Sequence, residues 1–191
     1  MNYLAHCFLS PATPASLVGN LLGDFCKGVD ERRLSVEVKA GLINHRAVDK
    51  FTDNHPLVRQ AKVCFSPHRR RFAGIALDVL FDYYLISHWH LFSAIPFDVF
   101  RKNTYQLIVQ GVPLMPEPMQ QVMTRVVSQD WFANYQSLQG VGHTLDQIAD
   151  RLRFSNQFSG CIEDIRKHNN ALEAVFLSFF VQLQEQLNSQ C

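Results

Sequence analysis

The sequence predicts an all-α fold, a single-domain helical bundle of about eight helices over residues 1–191, on three observations. Residues that start and stop helices recur along the whole chain, apolar residues between them repeat at a helical period, and no segment alternates apolar and polar residues between hairpin turns. Thr13 before Pro14 reads as a cap and first helical residue, and Gly28 as a stop, which sets a helix over about 14–27. Ser35 caps the next, whose period runs through Val38, Leu42, Val48 and Phe51 until Asn54-His55-Pro56 ends it. A short helix from Pro56 to about Phe65 precedes the Pro67 turn. A long segment, apolar around its circumference, then runs from about Arg69 to Phe92. Pro96 opens a helix to about Gln110, and Pro113, Pro116 and Pro118 mark a loop before another over about 118–134. Two more are expected near 144–153 and 159–188.

A chain of 191 residues is long enough for one packed domain. With 47% hydrophobic and 18% charged residues and a formal net charge of +1, it is neither disordered nor a general nucleic-acid binder. The five cysteines, Cys7, Cys26, Cys64, Cys161 and Cys191, lack CxxC spacing, which argues against a disulfide framework or a thiolate zinc site and fits a reducing cytoplasm. The sequence has neither a signal peptide pattern nor an uncharged apolar run long enough to span a bilayer, so no membrane role is expected.

Polar, metal-capable residues sit at i,i+4 spacing inside apolar helical segments: Asn20 with Asp24, His45 with Asp49 and then Asp53, and Asp78 with Asp82. Residues four apart share a helix face, so each pair can address one centre. The segment Ile75 to Leu85 offers Asp78 and Asp82 no hydrophilic face, and a buried carboxylate needs an arginine, a histidine, a shared proton or a cation. A divalent ion held by imidazole and carboxylates, and ion pairing with Arg46, Arg59 or His88, account for these acids equally well on spacing alone. Mixed nitrogen and oxygen ligands favour manganese, iron or magnesium over a structural zinc. His6 stands in the apolar stretch Leu4 to Leu9, where a core histidine and a ligand are both consistent with the pattern. The run His68-Arg69-Arg70-Arg71 is the densest charge cluster, either a solvated helix start or a docking patch for an acidic partner. The stripe Phe176, Phe179, Phe180, Leu183 reads as core.

Met1-Asn2-Tyr3-Leu4-Ala5-His6, Gly19-Asn20-Leu21-Leu22-Gly23-Asp24-Phe25, His45-Arg46-Ala47-Val48-Asp49 followed by Thr52-Asp53, and Leu77-Asp78-Val79-Leu80-Phe81-Asp82 resemble, in order, the bacterial acyl carrier protein phosphodiesterases. The resemblance implies an all-helical, HD-like enzyme, distantly related to the HD-type metal phosphohydrolases, that uses a divalent cation, typically Mn2+ with Mg2+ or Fe2+ as alternatives. It implies hydrolysis of the phosphodiester joining 4'-phosphopantetheine to the serine of acyl carrier protein. The chain lacks an adjacent His-Asp dipeptide, and carries Phe8 and Tyr83 where the family often has histidine, so those two positions are not expected to be ligands.

Within that resemblance Asp24, His45 and Asp78 are the first-choice ligands, with His6 and Asp82 beside them. Asp49 or Asp53 would orient water or hold a ligand imidazole. Arg46 would meet a phosphate oxygen, Asn20 would bind substrate, and Arg69, Arg70 and Arg71 would dock the acidic carrier protein. The alternatives are a metal phosphohydrolase acting on a nucleotide or other small phosphate ester, and a non-catalytic helical binding module.

Overall fold

The computed structural model describes residues 1–154 and 156–189; Cys191 lies outside the described residues. Among these residues there is no strand, and the α-helices number twelve. They are α1 (Tyr3–Phe8), α2 (Pro14–Leu22), α3 (Val36–Asn54), α4 (Pro56–Ala61), α5 (Ala73–Ser87), α6 (Trp89–Phe92), α7 (Phe97–Gly111), α8 (Glu117–Ser128), α9 (Trp131–Asn134), α10 (Leu138–Arg151), α11 (Ile162–Lys167) and α12 (Asn169–Asn188). No helix among the described residues is long and apolar enough to cross a membrane.

The expected caps are present. Thr13 Oγ1 accepts from the Ser16 amide at 3.2 Å, with Pro14 opening α2, and Ser35 Oγ accepts from the Val38 amide at 3.3 Å at the head of α3. The excess over eight helices has two sources. The short α1 has no start signal in the sequence, and three expected segments each break in two, at His88, Asp130 and His168. None of the three is Gly or Pro. Asp130 takes φ +47°, while His88 (φ −109°, ψ 23°) and His168 (φ −115°, ψ 17°) have left the helical well. Two boundaries also move. The first long helix stops at Leu22 in a 3-10 turn, Gly23–Phe25, short of Gly28, and α10 begins at Leu138 because Ser137 caps it.

The chain divides into two compact units. One contains Met1–Asn2, Lys50–Ser87 and the described residues from Asn134 onward. Its core forms where α12 lies against α4 and α5, with α10 also on α5. Phe81 meets Phe176 and Phe179 at centroid distances of 5.5 Å, and Phe176, Phe179, Phe180 and Leu183 are all fully buried, as the stripe implied.

The other unit contains Tyr3–Asp49 and His88–Ala133, with α2 packed on α7 and α1 on α2. Helices α2 and α3 cross backbone to backbone at Gly19 and Gly41. A Cβ on Gly19 would stand 2.1 Å from the Val38 carbonyl oxygen, and one on Gly41 would stand 2.5 Å from that of Ser16. This approach brings the last turn of α2 onto the middle of α3, where His45 lies.

Candidate metal centre

Helix α1 carries His6 into the interior of the second unit at 1% exposure, and α3 presents His45 and Asp49 one turn apart on one face. The two imidazoles stack with centroids 4.0 Å apart. Both turn Nε2 toward the same carboxylate: His6 Nε2 lies 3.2 Å from Asp49 Oδ1 and His45 Nε2 lies 2.9 Å from Asp49 Oδ2. One donor atom from each of the three lies within 4.8 Å of the others, a spread that one ion with bonds of about 2.0–2.6 Å can bridge.

The orientation of His45 follows from the end of α2. In its last turn the carbonyls run out of α-helical partners, and the Asn20 carbonyl accepts instead from His45 Nδ1 at 2.7 Å. A carbonyl only accepts, so Nδ1 carries the proton and Nε2 is the nitrogen presented to Asp49. Gly23 leaves the room for this ring. A Cβ there would stand 2.0 Å from His45 Cδ2 and 2.1 Å from Nε2.

The protonation states follow from burial and contact. Burial pushes His6 down to about 4, so at neutral pH its imidazole is uncharged and keeps a lone pair. Its Nδ1 is buried without a hydrogen-bond partner, and its Nε2 faces Asp49 Oδ1 at 3.2 Å. For His45, burial opposes charge, but the Asp49 carboxylate, the Asn20 carbonyl and the charge of Asp24 together raise its pKa. Burial likewise opposes charge on Asp49, and contact with His45 and His6 outweighs it, holding the carboxyl well below the usual carboxylate range. These contacts favour the form of His45 that carries a proton on Nε2 as well as on Nδ1, bridging the Asp49 carboxylate and the Asn20 carbonyl. The donor set suits a divalent cation in place of that proton: His6, His45 and Asp49 would hold it, and it would give His6 a partner besides Asp49.

The other candidates fall into place around this cluster or elsewhere. Asp24 is exposed in the 3-10 turn after α2, outside the buried helix expected for it, and acts on His45 through its charge. Asn20 is fully buried, and its side chain is spent inside the fold: Nδ2 donates to Ser10 Oγ and the Ser16 carbonyl, and Oδ1 accepts from Asn44. Its main-chain carbonyl is what reaches the cluster.

Arg46 points outward, half-exposed, and grips Glu31 through both terminal nitrogens, a partner fifteen residues away that no local pattern signals. Asp53 sits exposed in the last turn of α3, where its carbonyl accepts from Arg59.

Asp78 and Asp82 belong to the other unit, on α5. That helix is not buried all round: Ile75 is 37% exposed and the Asp78 side chain 40%, with the α-ammonium of Met1 3.1 Å from the Asp78 carboxylate. Asp82 is completely buried. In the same unit the three arginines part company. Arg69 is clamped, with Nε on the Gln157 carbonyl at 3.1 Å, Nη2 on that of Ser159 at 2.9 Å and Nη1 3.6 Å from Asp164. Arg70 and Arg71 are exposed, Arg71 lying over Phe72 at 4.5 Å. Only these two remain available to a partner.

Fold and site together define an all-helical protein in which two histidines and a carboxylate converge on one cluster. The chain belongs to the acyl carrier protein phosphodiesterase family, whose model matches residues 1–183. Relatives named acyl carrier protein phosphodiesterase come from Serratia proteamaculans, 34% identical with 97% of each chain covered, and from Photorhabdus laumondii, 34% identical over 100% of this chain and 96% of the relative. One from Escherichia coli O6:H1 is 33% identical, again over 97% of each chain. No solved structure matches the chain.

Proposed function

We propose that this protein is a divalent-metal-dependent phosphodiesterase that releases 4'-phosphopantetheine from the serine of holo acyl carrier protein and leaves the apo carrier. The observation that carries the reading is the convergence of buried His6 and His45 on the part-exposed Asp49 carboxylate, with the His45 tautomer fixed by the Asn20 carbonyl. Membership of the phosphodiesterase family supplies the substrate class.

His6, His45 and Asp49 would hold the ion, with Asp24 completing the set from the exposed turn; manganese suits the donors, and magnesium or iron(II) are alternatives. Bound there, the ion would supply a water of lowered pKa and positive charge against the anionic transition state. The protein's own residues do the rest. Burial keeps His6 neutral, and the carbonyl of Asn20 keeps Nε2 of His45 turned inward. Arg46 exchanges the two Glu31 oxygens for two phosphate oxygens, a swap that its planar fork allows without a change of geometry. Arg70 and Arg71 attract the acidic carrier from the other unit's surface. A cytoplasmic setting accords with the described cysteines, Cys7, Cys26, Cys64 and Cys161, all being free.

The test is the mass of holo carrier protein after incubation with this protein and Mn2+, with and without a chelator. Conversion to the apo mass only when the metal is present is the expected result. Unchanged holo carrier would reject the substrate, and conversion undiminished by chelation would reject the metal.

A further inference from the structure

The second unit holds a set of three half-buried aromatic rings from three separate elements, and the mechanism uses none of them. Tyr3 of α1 has both Phe25 of the 3-10 turn and Trp131 of α9 as ring neighbours, with both centroid distances 6.5 Å and ring planes within 19° and 26° of its own. Two of the three rings are chain neighbours of residues at the candidate centre. Phe25 directly follows Asp24, and Tyr3 precedes His6 by three residues on α1, hence about 4.5 Å along one helix face.

The third ring, Trp131, is held by an unusual turn. Asp130, between α8 and α9, takes φ +47°, a conformation that side-chain-bearing residues rarely adopt. It is fixed there because its carboxylate is gripped by Arg101 Nη1 at 2.5 Å and by the Tyr105 hydroxyl at 2.8 Å. The same hydroxyl accepts from the Phe132 amide at 3.0 Å, and the Trp131 indole N–H donates to Gln129 Oε1 at 2.9 Å. Strain of this kind persists only where its surroundings over-determine it. Here the result is one half-buried indole held with its ring plane within 26° of that of Tyr3.

We propose that Phe25, Tyr3 and Trp131 form the binding track for the pantetheine arm of the substrate. The inference rests on the phosphodiesterase reading for the identity of the arm. That arm is long, flexible and uncharged, with flat amide groups separated by methylene and methyl groups. Rigid aromatic faces suit both, since they pack against aliphatic carbon and stack on amide planes at little entropic cost. Rings that neighbour Asp24 and His6 in the chain let the phosphate sit at the cation centre while the arm runs outward over them. The arm, and not the carrier protein alone, then contributes to recognition.

The probe is pantetheine itself, without phosphate or carrier, titrated by calorimetry into the wild-type protein and into the Trp131→Ala and Trp131→Phe variants. The expected result is binding by the wild type, a loss of about tenfold in affinity for Trp131→Ala, and recovery of most of it by Trp131→Phe, which restores an aromatic face. Melting temperature and Mn2+ affinity should be unchanged in both variants, which separates a lost contact from a lost fold. Wild-type affinity in Trp131→Ala, or no pantetheine binding by the wild type, would overturn the proposal. Ring-dependent binding without hydrolysis of holo carrier would reject the phosphodiesterase reading and keep the track. Hydrolysis with ring-independent binding would do the reverse.

Discussion

Gly23→Ala places one methyl group in the space that the His45 ring occupies. The new Cβ would stand 2.0 Å from Cδ2 and 2.1 Å from Nε2, against 3.4 Å for an ordinary contact, so turn and ring must separate by roughly 1.4 Å. The ring has nowhere to go without losing the Asn20 carbonyl at 2.7 Å or Asp49 at 2.9 Å. Overpacking of this size costs about 1–3 kcal/mol, or roughly 2–12 °C in melting temperature for a chain of this length. Displacing a ligand by about 1 Å is a larger functional loss, on the order of 100-fold in turnover and 10- to 100-fold in metal affinity. The assay is Mn2+ titration by calorimetry beside a thermal melt of the metal-free protein. A variant that binds Mn2+ with wild-type affinity and melts within about 1 °C of wild type would refute the placement of His45 in a metal site.

Three further perturbations probe different parts of the molecule. Arg46→Lys keeps the charge but loses the fork, so turnover of holo carrier should fall with little change in melting temperature, because the Glu31 pair it breaks is exposed; a lower melting temperature with unchanged turnover would make Arg46 structural. Arg69→Ala should destabilise by about 2–3 kcal/mol in urea unfolding, since it abandons two carbonyls and Asp164, whereas reversing Arg70 and Arg71 to glutamate should mainly raise KM for the carrier and flatten its salt dependence. In metal-free protein, His6 falls to about 4 from an unfolded value near 6.5, so the unfolded chain binds more protons in that window and stability drops as pH goes from 6.5 to 4, by up to about 3 kcal/mol. His45, shifted upward, contributes in the opposite sense as pH rises above its unfolded value. Urea unfolding of His6→Gln across pH 4–6.5 should lose the His6 slope; the same slope in both proteins would contradict a buried, neutral His6.

The local parts of this molecule were legible in the residues, and the long-range parts were not. Thr13-Pro14 and Ser35 announced α2 and α3 because a cap is a short-range hydrogen bond, and His45 with Asp49 was visible because i,i+4 spacing is a property of one helix. The breaks at His88, Asp130 and His168 carry no glycine or proline. At Asp130 the cause is Arg101 and Tyr105, twenty-nine and twenty-five residues away. The apolar circumference around Asp78 suggested a buried charge, yet that carboxylate is part-exposed beside the Met1 ammonium, a tertiary contact that periodicity does not encode. Arg69 looked like one of three surface cations until the carbonyls of Gln157 and Ser159, some ninety residues on, claimed it. Of the first-choice ligands Asp24, His45 and Asp78, only His45 stands in the cluster with His6; Asp49, expected to orient water or an imidazole, meets both rings directly, and the Asn20 carbonyl was not foreseen because main-chain groups leave no mark in composition.

The most direct measurement is Mn2+ electron paramagnetic resonance on the purified wild type and on His45→Ala, because free Mn2+ gives a strong signal that binding suppresses. The wild type should remove one equivalent per chain from the free signal, and His45→Ala, having lost a ligand whose Nε2 lies 2.9 Å from Asp49, should leave it free at the same protein concentration. Equal suppression by both proteins, with equal turnover of holo carrier, would show that the cluster of His6, His45 and Asp49 is not where the metal acts.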